Sequence, residues 1–258
     1  MAWLLWSVVL TLATAPWWWP HGAATIDLAQ LLLPPNATHW LGTDELGRDV
    51  LVRLGAALQL GLFVGVVTAV GTALIGVPLG LLAGYWRGPV DVVLQRVMDI
   101  VLAFPGLLLA IALAAVLGPG LNNVLFALIV LGWVGFARLA RAQVLSLREQ
   151  DFVTAARLQG VGVLTLLWRH LWPNAAPALR VEFAFAVTGA MLAEAALSFL
   201  GMGVQPPTPS LGNLLREGGR YMLVAPHLVI IPALALMAVV LAVMGRVEKT
   251  GAASPCGR

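Results

Sequence analysis

Residues 152–174 read FVTAARLQGVGVLTLLWRHLWPN. Long apolar runs lie on both sides, yet this stretch carries Arg157, Arg169 and His170, a Gly-Val-Gly break at 160–162, and Pro173. Two helix-compatible pieces, about 149–159 and 163–171, flank the break, because glycine admits backbone angles that a continuous helix does not use. Pro173 is expected to stop the second piece before the next apolar run begins. A basic, amphipathic helix–turn–helix in that setting has two readings. One is a helix lying on lipid headgroups. The other is a docking element that passes force to the runs on either side.

The rest of the chain settles what those runs are. The 258 residues are 60% hydrophobic and 10% charged, with a mean hydropathy of +0.91. An ordinary soluble domain is about 25% charged, so the deficit places the chain in a membrane. A spanning helix needs about 20 apolar residues. Six segments qualify: 2–19, 60–83, 98–117, 122–138, 182–203 and 224–244. The expected fold is therefore an all-α membrane protein of six transmembrane helices. The first segment lacks the basic flank of a signal peptide and runs into Trp17, Trp18 and Trp19, residues that favour the membrane interface. It reads as a retained span. "GYWRGPVDVVLQR" (84–96) reads as a short polar connection between the second and third spans.

Lys and Arg fix the orientation. One set of loops holds Arg87, Arg96, Arg138, Arg141, Arg148, Arg157, Arg169, Arg180, Arg246, Lys249 and Arg258, and the other holds Arg48, Arg53, Arg216 and Arg220. The first set, 11 of the 15, belongs in the cytoplasm by the positive-inside rule. Both termini are then cytoplasmic, residues 20–59 and 204–223 face outward, and 139–181 face inward. The last residues, from Val247 on, read as a disordered tail.

Inside the spans, Gly61, Gly65, Gly76, Gly80 and Gly84 share one helix face and allow close helix approach, either within the chain or to a second membrane subunit. Pro78 and Pro105 are expected to kink their spans. Two acids need explaining, since a carboxylate near the bilayer centre costs about 2.5–3.5 kcal/mol. Asp99 has Arg96 at helical spacing, which predicts a local ion pair at the membrane edge. Glu194 is deeper, and lines a substrate path or hydrogen-bonds across a helix interface. Outside the spans, Asp44, Glu45, Arg48 and Asp49 in "GTDELGRD" make a polar turn that caps the outer face or contacts a partner. Its acidic spacing does not match a calcium-binding loop.

Several functions are disfavoured. The lone Cys256 excludes an internal disulfide and a Cys-rich metal site, and His21, His39, His170 and His227 are scattered, so no metal site is expected. No basic-aromatic nucleic-acid module appears. The one lysine, Lys249, lacks the glycine pattern of a phosphate-cradling loop, and no nucleophile-elbow or zinc-protease motif occurs. The chain is expected to be non-catalytic and to hold no cofactor.

The opening stretch resembles the coupling loop, or EAA motif, of type I ABC-importer permeases: Glu-Ala-Ala, three residues, Gly, nine residues, then Ile-x-Leu-Pro. Thr154-Ala155-Ala156 stands for Glu-Ala-Ala, Gly160 falls in place, and His170-Leu171-Trp172-Pro173 closes the motif. Thr154, His170 and Trp172 depart from the pattern. Three more stretches resemble the C-type subunit of the peptide/nickel permease subfamily: "HWLGTDELGRDVLVRL" (39–54), "MDIVLAFPGLLLAIALAAVLGPG" (98–120) and "LSFLGMGVQPPTPSLGNLL" (197–215). Leu211 stands where relatives often have tryptophan, and the subfamily's acidic C-terminal run is missing.

The resemblance implies a type I ABC-importer transmembrane domain at 56–245, after an N-terminal helix and periplasmic segment at 1–55 and before a tail at 246–258. It implies a bacterial inner-membrane location, a homologous second permease subunit, two ATP-binding subunits that hold ATP and Mg, and a periplasmic or lipid-anchored substrate-binding protein. It makes Thr154, Ala155, Ala156, Arg157, Gly160, His170 and Pro173 the ATPase-coupling residues. Di- and oligopeptides are the favoured cargo, with nickel or metal chelates the alternative. From another class, a stand-alone secondary transporter would need mid-membrane coupling residues and inverted repeats. Glu194 is one candidate residue, and no repeat is visible. A non-transporting scaffold would have no use for a coupling loop.

Overall fold

A computed structural model describes residues 2–20 and 22–252, with side chains for 5–20 and 22–245. His21, Cys256, Arg258 and the side chains of Arg246 and Lys249 lie outside the described residues. Within those described, the regular structure is helical apart from one isolated bridge, Thr43 to Asp49. The helices are α1 (Ala2–Trp18), α2 (Val50–Trp86), α3 (Pro89–Leu102), α4 (Gly106–Leu117), α5 (Leu121–Leu147), α6 (Asp151–Leu158), α7 (Val163–Phe199), α8 (Leu211–Arg220) and α9 (His227–Ala252).

By length and composition α2, α5, α7 and α9 can each cross a membrane. The pair α3–α4 passes as a fifth span, bent by 79°. Helix α1 is apolar, but at 17 residues it is shorter than a typical span. The six expected runs thus map onto α1, α2, α3–α4, α5, α7 and α9, with different ends. The expected boundary after residue 55 falls inside α2. The expected tail begins inside α9, which stays helical to Ala252.

Helix α2 is the hub and packs most extensively on α5, then on α7 and α1. Its glycine face explains how. A Cβ added at Gly65 would come 2.9 Å from Met191 Cγ on α7. One at Gly80 would come 2.8 Å from the Ala140 Cβ on α5 and closer still to the Ala137 carbonyl oxygen. Gly76 and Gly84 press on α5 in the same way. The stripe is therefore used within the chain, and it serves two partner helices in turn. Lipid gives little hydrophobic drive between helices, so this backbone-to-backbone approach is what binds them.

Two expectations about local structure are corrected. The "polar connection" at 84–96 is only the turn Arg87-Gly88, after which Pro89 opens α3. Proline at the first helical position loses no hydrogen bond and presets φ. Pro105 breaks its span as expected, and α2 stays helical through its own Pro78. Pro173 does not stop a helix either: α7 runs through it. Residues Leu166–Leu171 form a π-helical turn, and the Trp172 amide donates to the Leu167 carbonyl five residues back. The widened turn makes room for the proline ring, and the Asn174 side chain donates to the His170 carbonyl at 2.6 Å.

Candidate functional site

The segment from Asp151 to Pro173 is built as a packed knob. Val153 and Ala156 of α6 are buried with Leu166, Leu167 and Leu171 of α7, Val144 of α5 and Leu81 of α2. Helix α6 ends in a Schellman motif: the Gly160 amide donates to the Arg157 carbonyl and the Val161 amide to that of Ala156. Gly160 has φ +75°, the conformation this C′ position demands. A Cβ there would meet nothing within 4 Å, so backbone angle rather than space calls for glycine. Of the alanine pair, Ala156 faces the core and Ala155 faces out together with Thr154. The Arg157 guanidinium lies over the Tyr85 ring at 5.2 Å. Leu158 is 85% exposed, and Leu164 and Trp168 are exposed beside it. Pro173 is exposed and His170 half-buried.

At the opposite end of α2, the turn from Asp44 to Asp49 is internally paired. The Asp44 carboxylate accepts from the Arg48 backbone (2.9 Å), from Arg48 Nε (2.7 Å) and from Arg53 Nη1. Arg53 Nη2 reaches Glu217 of α8 at 2.9 Å. Asp49 caps α2 by accepting from the Leu51 and Val52 amides. Its second oxygen contacts His39 Nδ1 at 2.8 Å and accepts from Trp19 Nε1 at 3.0 Å. Loop, α1, α2 and α8 are thereby tied together. Glu45 sits at the edge of this cluster. Its Oε2 is buried without a partner, and burial, with Glu217 and Asp44 nearby, pushes its carboxyl above the usual range. Arg53 and Glu217 were not among the expected members; each lies in a segment between apolar runs, where a charge carries no signal of its partner.

The two expected membrane acids are separate. Asp99 pairs with Arg138 of α5 at 2.9 Å, not with Arg96, because the α3–α4 bend lays α3 beside α5. The same approach gives an unforeseen bidentate pair, Arg141 to Asp91, at 2.5 and 2.8 Å. Glu194 is 1% exposed, and it accepts from Ser198 Oγ at 2.7 Å. Ser210, the N-cap of α8, is a second hydrogen-bonding neighbour.

A cavity of about 340 Å³ opens between α2, α4, α5 and α7. Its wall includes Thr68, Leu107, Gly132, Glu182, Phe185 and Gly189, and Glu194 lies outside that lining. Thr68 is midway along α2 and Gly132 near the middle of α5, so the cavity sits at mid-depth. Glu182 escaped notice in the sequence because it stood at the expected edge of a span.

Comparison with known proteins agrees with this architecture. Residues 76–249 match the family described as "Binding-protein-dependent transport system inner membrane component". The glutathione transport system permease protein GsiD of Pectobacterium atrosepticum is 38% identical, over 91% of this chain and 79% of its own. The dipeptide transport system permease protein DppC of Alkalihalophilus pseudofirmus is also 38% identical, over 91% and 77%. DppC of Bacillus subtilis is 41% identical over 77% of this chain and 62% of its own. Among solved structures, a chain of the MetNI methionine ABC transporter in an inward-facing conformation matches with a TM-score of 0.65. It covers 78% of this chain and 96% of that one at 17% identity, a likeness of fold. The helical bundle, its spans and a family match over two-thirds of the length agree: the chain is a multi-pass membrane protein that belongs to the family of binding-protein-dependent transport system inner membrane components.

Proposed function

We propose that this chain is a non-catalytic permease subunit of an ABC importer that moves di- and oligopeptides inward by alternating access. The observation that carries the reading is the inward knob. A Schellman-capped helix is fixed on α2, α5 and α7, yet it presents Leu158, Leu164 and Trp168 outward. Exposed apolar side chains on a rigid mount suit a groove on an ATP-binding subunit. Thr154, Ala155, Arg157 and Gly160 lie on the same loop, His170 and Pro173 at its root. A rigid element of this kind can bias two access states when its partner moves. The names of the glutathione and dipeptide relatives favour peptide cargo. Membership of a binding-protein-dependent family displaces the stand-alone secondary transporter.

The complete importer then holds a homologous second permease, two ATP-binding subunits that carry ATP and Mg, and a substrate-binding protein on the outer side. The chain itself needs no cofactor. It sits in the bacterial inner membrane with both termini cytoplasmic, and Asp44, Glu45, Arg48 and Asp49 stabilise the outer cap. Gly160→Trp should insert in the membrane normally but fail to retain the ATPase on affinity purification. Normal ATPase recovery together with normal dipeptide uptake would falsify the coupling assignment.

A further inference from the structure

The acids of the spans have protein partners with one exception among the described residues. Asp91 holds Arg141, Asp99 holds Arg138, and Glu194 holds Ser198. Glu182 is half-buried in the wall of the mid-depth cavity, and none of the described side chains bonds or pairs with its carboxylate. Arg180, two residues away, projects from a different side of the helix. The fold also leaves room for this acid. A Cβ at Gly135 of α5 would come within 2.6 Å of Glu182 Oε1, and the cavity is widened by Gly106 and Gly189, whose Cβ positions are empty to 4 Å. An ionisable side chain at membrane depth faces a partner or a water-filled path, since lipid does not solvate it. The surrounding wall is apolar, with Leu107 and Phe185 exposed, so a single charge would dominate recognition there.

On the reading that the cargo is a peptide, we infer that Glu182 is a cargo-contacting residue of the translocation path, where its carboxylate receives the free ammonium group of the passing peptide. The volume suits a small peptide, and one carboxylate with no second carboxylate, histidine or cysteine in the lining is a poor cage for a bare metal ion. The contact is transient: it must offset the ammonium's lost hydration without holding the cargo.

The test uses the complete importer in proteoliposomes with its binding protein and labelled alanyl-alanine. A charge-assisted hydrogen bond corresponds to roughly ten- to a hundredfold, so Glu182→Gln should cut uptake by about tenfold or more. Glu182→Asp should keep most of it. Both variants should co-purify with the second permease and retain ATPase stimulation by loaded binding protein, a split that a merely structural role would not give. Uptake by Glu182→Gln at the wild-type rate overturns the inference. So does loss of the second permease from Glu182→Gln, which would assign the carboxylate to a subunit ion pair. Absence of dipeptide uptake by the wild type overturns the peptide reading itself, and the inference with it.

Discussion

The contact between α2 and α5 can be tested with a single methyl group. In Gly80→Ala the new Cβ lies 2.8 Å from the Ala140 Cβ and still nearer the Ala137 carbonyl oxygen. Two carbons prefer a separation of about 3.5–4.0 Å, so the helices must move apart by roughly 1 Å. The carbonyl is part of the α5 backbone and cannot rotate aside as a side chain would. Overpacking of this sort costs about 1–3 kcal/mol, against a gain of about 1 kcal/mol from replacing glycine within a helix. The net expectation is a loss of up to about 2 kcal/mol, centred near 1 kcal/mol. The matched control is Gly219→Ala on α8, where a Cβ meets nothing within 4 Å and the propensity gain of up to about 1 kcal/mol stands alone. The same chemical change should thus act with opposite sign at two positions. With about 1 kcal/mol lost at one site, up to about 1 kcal/mol gained at the other, and about 2–4 °C per kcal/mol for a chain near this size, the two midpoints should differ by roughly 4–8 °C. Thermal unfolding in detergent, followed by tryptophan fluorescence, reads this directly, since the chain has ten tryptophans. Adding Ala140→Gly to Gly80→Ala should recover only part of the loss, because the Ala137 contact remains. Midpoints that agree within a degree, or a Gly80→Ala protein more stable than wild type, would refute the tight α2–α5 contact.

The remaining predictions concern charges. Asp49→Ala removes the α2 N-cap, worth about 0.5–2 kcal/mol, and one hydrogen bond each from His39 and Trp19, at about 1–2 kcal/mol more; Asp49→Asn should restore the cap share in the same unfolding assay. Arg141→Met leaves Asp91 without its bidentate partner and should cost about 2–3 kcal/mol, below the figure for a fully buried pair because both groups keep some solvent. The double variant Arg141→Met/Asp91→Leu should recover most of the membrane-inserted protein seen on immunoblots. Glu45 binds its proton more tightly folded than unfolded, so it favours the folded state most at low pH, and that contribution falls as pH rises through its elevated pKa. Glu45→Gln should therefore be more stable than wild type at pH 7, and the difference should vanish toward pH 4; equal midpoints at pH 7 would count against the burial of that carboxylate.

The elements that were legible in the sequence are those governed by composition. Apolar runs of spanning length announce α2, α5, α7 and α9 whatever they pack against. The glycine face of α2 was legible as well, because spacing alone defines a close-packing surface. Its division between α5 and α7 was not, since that depends on how three helices cross. Proline shows where local rules give out. Pro78, Pro105 and Pro173 carry the same local message, yet one sits within an unbroken helix, one breaks a span, and one is absorbed by a π turn. Whether the neighbouring backbone can widen, and whether a side chain such as Asn174 takes up a freed carbonyl, is settled by surroundings that no residue window contains.

Charges show the same division between sign and partner. Counting Lys and Arg assigns a loop to one side of the membrane, but gives no hint of who holds whom. Spacing of three residues on a helix points Asp99 to Arg96, and the packing of α3 on α5 hands it Arg138 instead. Glu182 was hidden by a boundary. With Arg180 beside it, it stands in the sequence at the junction of a polar loop and the apolar run from 182, a place where a carboxylate needs no explanation. The helix in fact starts at Val163, nineteen residues earlier. That shift carries Glu182 from the membrane edge to the level of Gly135 and turns an ordinary surface acid into an unpaired charge among apolar walls. Moving a helix start changes no residue, but it changes the solvent each residue must face, and with it the cost that makes an acid informative.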